Sequence, residues 1–97
     1  MRFDPSRVLR LSPHADLKSR ADGEVLVLPE RAVRLGGSGA EILRLCLEER
    51  SGKSVLAVMR ERYPGAPGLD SEVMGFLEEM LGLGGLVYPG KPREAVR

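Results

Sequence analysis

The chain has 97 residues, 15 of them Lys or Arg and 14 Asp or Glu, for a net charge of +1; that is one small domain, and a near-neutral balance without a block of one sign argues against a protein held to nucleic acid through its phosphates. A single cysteine, Cys46, rules out an internal disulfide and fits a reducing compartment. No apolar run approaches the ~18–20 residues of a membrane span, and the charged opening "MRFDPSRVLRLSPHADLK" lacks a signal peptide's apolar centre, so a cytoplasmic protein without membrane association is expected.

Residues 1–14 carry only a weak apolar pattern, Val8, Leu9 and Leu11, between Pro5 and Pro13, and are expected to form a loosely packed arm. "ADLKSRADGEVLVL" predicts a hairpin: a strand over 15–20, a tight turn at Asp22-Gly23, and a returning strand over 24–28. Pro29, which has no N–H for a ladder, ends that strand. A third strand is predicted over 32–35. Ser38 and Glu41 have the spacing of a capping box ahead of Ile42, Leu43, Leu45 and Cys46, which predicts a helix over about 39–49. Ser54 is the expected N-cap of a second helix carrying Val55, Val58 and Met59, and Tyr63-Pro64-Gly65 ends it. Asp70 is the expected N-cap of a third helix, whose Val73, Phe76, Leu77, Met80 and Leu81 form an apolar stripe. Gly82, Gly84 and Gly85 close that helix. Leu86 and Val87 should return to the core, and residues 89–97 read as a polar tail.

The expected fold class is therefore α+β: a three-stranded antiparallel sheet followed by three helices that cover its apolar face. It is similar to a winged helix-turn-helix with the strands placed first. One domain over residues 15–88 would lie between the arm and the tail.

Several short motifs carry no chemistry on inspection. "SGKS" at 51–54 resembles the end of a phosphate-binding loop, but the glycine that the full motif needs is Leu47. "LGGSGAEI" at 35–42 joins a strand to a helix N-terminus but lacks the dinucleotide-binding spacing. His14 and Cys46 are too few for a zinc site, and Cys46 lies on an apolar helix stripe, where a cysteine behaves as a small hydrophobe. Glu48-Glu49 and Glu78-Glu79 are neighbours on helices and point in different directions. No catalytic residue, metal ligand or cofactor site is assigned, and the chain is not expected to be an enzyme.

The third strand has a neighbour on one side and nothing strand-like after it. Its other edge is left over, and an open edge beside an apolar helix is a place for an extended peptide to dock. Here the sequence resembles a known family. "LVLPERAVRL", "SGAEILRL", "GKSVLAVMRERYP" and "EVMGFLEEMLGLGGLV", taken in order, resemble the PqqD family of small peptide-binding proteins over about residues 15–88. The resemblance implies a recognition element, or peptide chaperone, that holds the leader of a ribosomally made precursor peptide and presents it to a radical SAM enzyme, in the namesake pathway for pyrroloquinoline quinone. It also implies strand addition in the groove between the third strand and the third helix. Carried onto this chain, Arg31, Ala32, Val33, Arg34 and Leu35 would supply the ladder and its charges, and Val73, Met74, Leu77 and Leu81 the opposite wall.

Other readings remain open at this point. A winged-helix DNA-binding module is the alternative, although the third helix, "SEVMGFLEEMLG", carries three glutamates and no basic residue, where base recognition would want Arg, Lys, Asn or Gln. A small subunit that binds a folded protein is another. A second copy of the chain could also add at the open edge to form a homodimer.

Overall fold

The computed structural model describes residues 3–89. In chain order they form β1 (Val8–Leu11), β2 (Asp16–Arg20), β3 (Gly23–Leu28), β4 (Arg31–Leu35), α1 (Gly39–Leu45), β5 (Arg50–Ser51), α2 (Gly52–Arg62), α3 (Leu69–Leu83) and β6 (Leu86–Val87). The class is α+β with three helices. The strands, however, make two antiparallel sheets rather than one, in the orders β2-β3-β4 and β5-β1-β6.

The first sheet is a meander built on two-residue turns between Arg20 and Gly23 and between Leu28 and Arg31. Its register places Leu17, Leu26 and Val33 in one row. Because side chains alternate across a strand, Leu28 and Leu35 share that face, which turns toward the helices. Lys18, Val25 and Arg34, and next to them Asp16, Val27 and Ala32, form rows on the other face.

The second sheet overturns the expectation of a loose N-terminal arm. β1 lies at its centre: Val8 and Leu9 pair with Ser51 and Arg50, and Arg10 and Leu11 pair with Val87 and Leu86. Leu9 is completely buried and Leu11 nearly so. The Ser12 N–H donates to the Gly85 carbonyl at 2.9 Å, and the Lys53 N–H to the Pro5 carbonyl at 2.9 Å. Both partner strands have only two residues, too few to show a period, and both lie far along the chain. The pairing thus has no local signature. The expected polar tail, apart from Pro89, lies outside the described residues.

The helix caps differ from their sequence signals, although α1 begins at Gly39 as expected. Ser38 precedes α1 without a side-chain capping bond, and the reciprocal half of the expected capping box is missing too, because the Glu41 carboxylate accepts from the Tyr63 hydroxyl at 2.7 Å and from Arg62 at 2.5 Å instead. The helix also stops at Leu45 rather than near 49, and Arg50 Nε donates to the Leu45 carbonyl at 3.0 Å, satisfying one of the acceptors that a helix end leaves open. In α2 the cap is Ser51, whose Oγ accepts from the Ser54 N–H at 3.0 Å, so Ser54 is the third helical residue and not the cap. α3 begins behind Gly68, and Asp70 pairs with Arg60 instead of capping. Gly84, at φ +85°, ends α3 in the left-handed region that glycine adopts without strain.

One core unites the layers. Leu9 from β1, Leu26 from β3, Ile42 and Leu43 from α1, Met59 from α2, Leu77 and Met80 from α3 and Leu86 from β6 are all essentially inaccessible to water. Gly85 permits the closest approach: a Cβ there would sit 2.8 Å from Leu26 Cδ2. The C-terminal end of α3 is thereby pinned above the middle of the meander.

Candidate functional site

β4 is the last strand of its sheet, and no described residue pairs with its outer side. Backbone geometry says which groups are left over. Leu28 and Arg31 flank a two-residue turn, so that pair is directly hydrogen-bonded, and antiparallel pairs alternate between bonded and non-bonded. Val33 and Leu35 therefore direct their N–H and C=O groups toward β3. The N–H and C=O of Ala32 and of Arg34 point the other way, to the open edge. Arg31, Ala32 and Arg34 are exposed, Val33 is half-buried and Leu35 is buried.

α3 runs alongside in the opposite direction. A Cβ built on Gly39 would lie 3.1 Å from Phe76 Cε1 and 3.8 Å from Leu35 Cβ, which sets the middle of the helix level with the end of β4. The contact between Gly85 and Leu26, the partner of Val33, sets its C-terminal end level with the middle of β4. Helical periodicity then sorts the side chains. Glu72, Phe76, Glu79 and Leu83 recur along one flank. Phe76 fixes that flank as the one toward β4 and α1, and Glu72 borders a hollow with Gly37 and Ser38 just beyond β4. Asp70, Met74, Glu78 and Leu81 lie along the other flank, where Leu81 meets Leu86, Val87, Tyr88 and Phe3.

This placement divides the nine residues singled out from the sequence. Arg31 to Leu35 form β4 as a continuous edge strand. Val73 and Leu77 are buried in the core beneath α3 and offer no surface. Met74 and Leu81 belong to the flank turned away from β4. The wall that does face β4 is half-buried Phe76 and Leu83, with exposed Glu79 and Glu72 above them. The sequence contained the stripe but not its orientation, because an apolar band wide enough to seat a helix extends over both flanks.

Charge around the edge is arranged in weak, exposed pairs. Arg34 lies 3.3 Å from Asp22, both about two-thirds exposed. Arg44 donates to Glu24 at 2.6 Å, and Ser19 Oγ to the same carboxylate at 3.2 Å. The Arg44 hydrogen bond holds the Glu24 carboxyl below the usual glutamate range. Burial pushes the Cys46 thiol up to about 11, so it is protonated at neutral pH, and His14 is exposed. No cluster of His, Cys, Asp or Glu among the described residues could hold a metal ion. No helix of the described residues is long and apolar enough to cross a membrane.

An open strand beside a half-apolar helix flank defines a class, a small α+β domain with an unpaired sheet edge. The same fold occurs in the solution structure of the PqqD truncation of Methylobacterium extorquens PqqCD, described as a stand-alone recognition element for ribosomally synthesised and post-translationally modified peptides. The two superpose with a TM-score of 0.72 at 20% identity, over 89% of this chain and 95% of that one. The family model for coenzyme PQQ synthesis protein D (PqqD) matches residues 23–86. A PqqA binding protein of Pseudomonas paraeruginosa is 37% identical over 76 residues, 78% of this chain and 83% of its own length. One of Azotobacter vinelandii is 41% identical over 54 residues, 56% of this chain and 59% of its own length. The chain belongs to the PqqD family.

Proposed function

We propose that this protein binds the leader of a ribosomally made precursor peptide in pyrroloquinoline quinone biosynthesis, by adding the leader as a strand to β4, and presents it to a radical SAM enzyme. The observation that carries the reading is the unused backbone of Ala32 and Arg34, facing outward beside Phe76 and Leu83. The names of the relatives, PqqA binding proteins, support the peptide as ligand. The leader's side chains on the inner face would pack against Val33, Phe76 and Leu83. Arg31 and Arg34 favour acidic leader residues near the strand, and Glu72 and Glu79 favour basic ones near the helix. A DNA-binding role is disfavoured by α3, which has Asp70, Glu72, Glu78 and Glu79 and no basic residue.

Magnitudes set the affinity. Each added backbone hydrogen bond nets ~0.5–1.5 kcal/mol, and ordering each leader residue costs ~1–2 kcal/mol, so pairing alone roughly breaks even. Two or three buried apolar leader side chains, at ~1.5–3 kcal/mol each, supply the surplus, and the expected affinity is on the order of micromolar.

Ala32→Pro tests the mechanism. The Ala32 N–H is not used by the fold, and proline is tolerated on an edge strand. Its ring would remove one donor and fill the space at the edge. By calorimetry with the PqqA leader, the variant should bind at least about tenfold more weakly while melting close to the parent. Unchanged affinity would remove strand addition at β4 from consideration.

A further inference from the structure

We propose that the hollow beyond the end of β4 is a specificity pocket for one lysine or arginine of the leader, at the position two residues outside the one that lies opposite Leu35. This rests on the strand addition proposed above and adds to it the register in which the leader is read.

The backbone sets where such a side chain arrives. Directly opposite residues on neighbouring strands share a face, so leader residues opposite Val33 and Leu35 turn toward α3, and the one opposite Arg34 turns away. β4 ends at Leu35, and Gly37, at φ +54°, takes the chain off the line of the strand. The next inward-facing leader residue therefore lies past the ladder. Its side chain is ~6.6–6.8 Å further along the groove, two residues at ~3.3–3.4 Å each. Along α3 the step from Phe76 to Glu72 is ~6 Å, four residues at ~1.5 Å each. Phe76 is level with Leu35, so the two steps match and the side chain reaches the hollow beside Glu72.

The lining selects a long cation. The hollow has a volume of about 310 Å³, at the lower end of ligand pockets, which suits a single side chain. Tyr63 and Leu69 offer surface for an aliphatic stem and Glu72 a carboxylate for the charged end. Ser38, whose hydroxyl makes no capping bond, adds a second acceptor. Of the described residues that line the hollow, Glu72 alone is charged, and no described residue forms an ion pair with it. The neighbouring charges are matched: Glu41, bonded to the Tyr63 hydroxyl, is paired with Arg62, and Asp70 with Arg60. An acidic leader side chain would meet like charge, and an apolar one would cover the Glu72 carboxylate without pairing it.

Calorimetry of the full chain tests the pocket, with the PqqA leader and with leader peptides in which each Lys or Arg is replaced in turn by Glu. Glu72 is exposed, so Glu72→Lys should melt close to the parent. It should bind the unaltered leader at least about fivefold more weakly, through attraction lost and repulsion gained. Glu78→Lys, the same change of charge on the other flank of α3, should bind it as the parent does. One altered peptide should lose affinity for the parent and recover it with Glu72→Lys, and its replaced residue should lie two positions from an apolar one. The pocket is overturned if Glu72→Lys binds the leader like the parent, if Glu78→Lys weakens binding equally, if no altered peptide recovers, or if the one that does has no apolar residue two positions away. Ala32→Pro reports on the ladder alone. If it weakens binding and Glu72→Lys does not, strand addition stands and the pocket falls; if Ala32→Pro has no effect, strand addition itself fails.

Discussion

The two sheets of this protein are both antiparallel and differ in what their edges leave open. β2-β3-β4 is one continuous stretch, folded on two short turns, with β4 offering unpaired backbone at its border. β5-β1-β6 joins three segments from distant parts of the chain, and its middle strand has both sides paired. A strand with both edges taken has nothing left to bind, and β1 contributes instead the most buried leucine of the N-terminal segment. The lesson is one of cost. A hairpin sheet closes short loops and is specified locally, so its outermost strand can stay available for a ligand. The long-range sheet closes large loops and has to be held by burial.

The sharpest way to break this comparison is to truncate the side chain that holds the long-range sheet. Leu9 is 0% exposed, and Leu9→Ala should cost ~2–5 kcal/mol, as leucine truncations in cores do. A domain of this size has ~5–15 kcal/mol in total. Urea denaturation should show a large fall in midpoint. If residues 1–14 were a loose arm after all, the midpoint would barely move. Smaller, and aimed at the seam between the sheets, is Gly85→Ala. The added methyl would press on Leu26 from 2.8 Å, and such overpacking costs ~1–3 kcal/mol. Because Leu26 pairs with Val33, the proposed strand addition would also be weakened slightly by this variant, where Leu9→Ala lowers only the folded fraction.

The same contrast explains what could be read in the sequence. The meander was legible because Asp22-Gly23 marked the first turn, which the structure makes one residue earlier at Ala21-Asp22, and Pro29 ended the second strand. All three helices were legible from their stripes. The caps were less so: Ser38, Ser54 and Asp70 each had the right chemistry, but Glu41 and Asp70 were drawn to Tyr63, Arg62 and Arg60, and tertiary partners outweighed local ones. The second sheet was invisible, since Arg50-Ser51 and Leu86-Val87 have no period to detect. For the candidate site, the open outer edge of β4 was legible from the leftover strand, and the structure leaves that edge unpaired among the described residues. Of the wall expected from Val73, Met74, Leu77 and Leu81, Val73 and Leu77 lie buried in the core, because periodicity gives the width of an apolar band and not the direction in which it faces. Phe76 had been counted as core; its half-exposed position next to Gly39 emerges only once α1 is packed against α3.

The smallest effect sharpens the comparison from the side of charge. The meander is tied to α1 through Arg44–Glu24, and α1 to α2 through Glu41, Arg62 and Tyr63, whereas the long-range sheet is held by apolar burial. The Tyr63 hydroxyl, then Arg62, hold the Glu41 carboxyl below its ordinary value of 4.5. A carboxyl with a lowered folded-state pKa stabilises fully above the unfolded value and loses that contribution as pH falls through the folded one. Stability should therefore be flat near neutrality and decline below about pH 4.5, with the Glu41 link opening along with Arg44–Glu24. Glu41→Gln should cost less than about 1 kcal/mol at pH 7, because its partners Arg62 and Tyr63 are exposed, and should flatten part of the acid decline. Amide exchange followed by NMR from pH 7 to pH 3 would locate the change: protection in α1 and at Tyr63 should fall while β1 keeps its own. An equal loss in β1 would mean that the two sheets are not held by different forces, and the distinction between a buried clasp and an exposed, charge-tied meander would have to be given up.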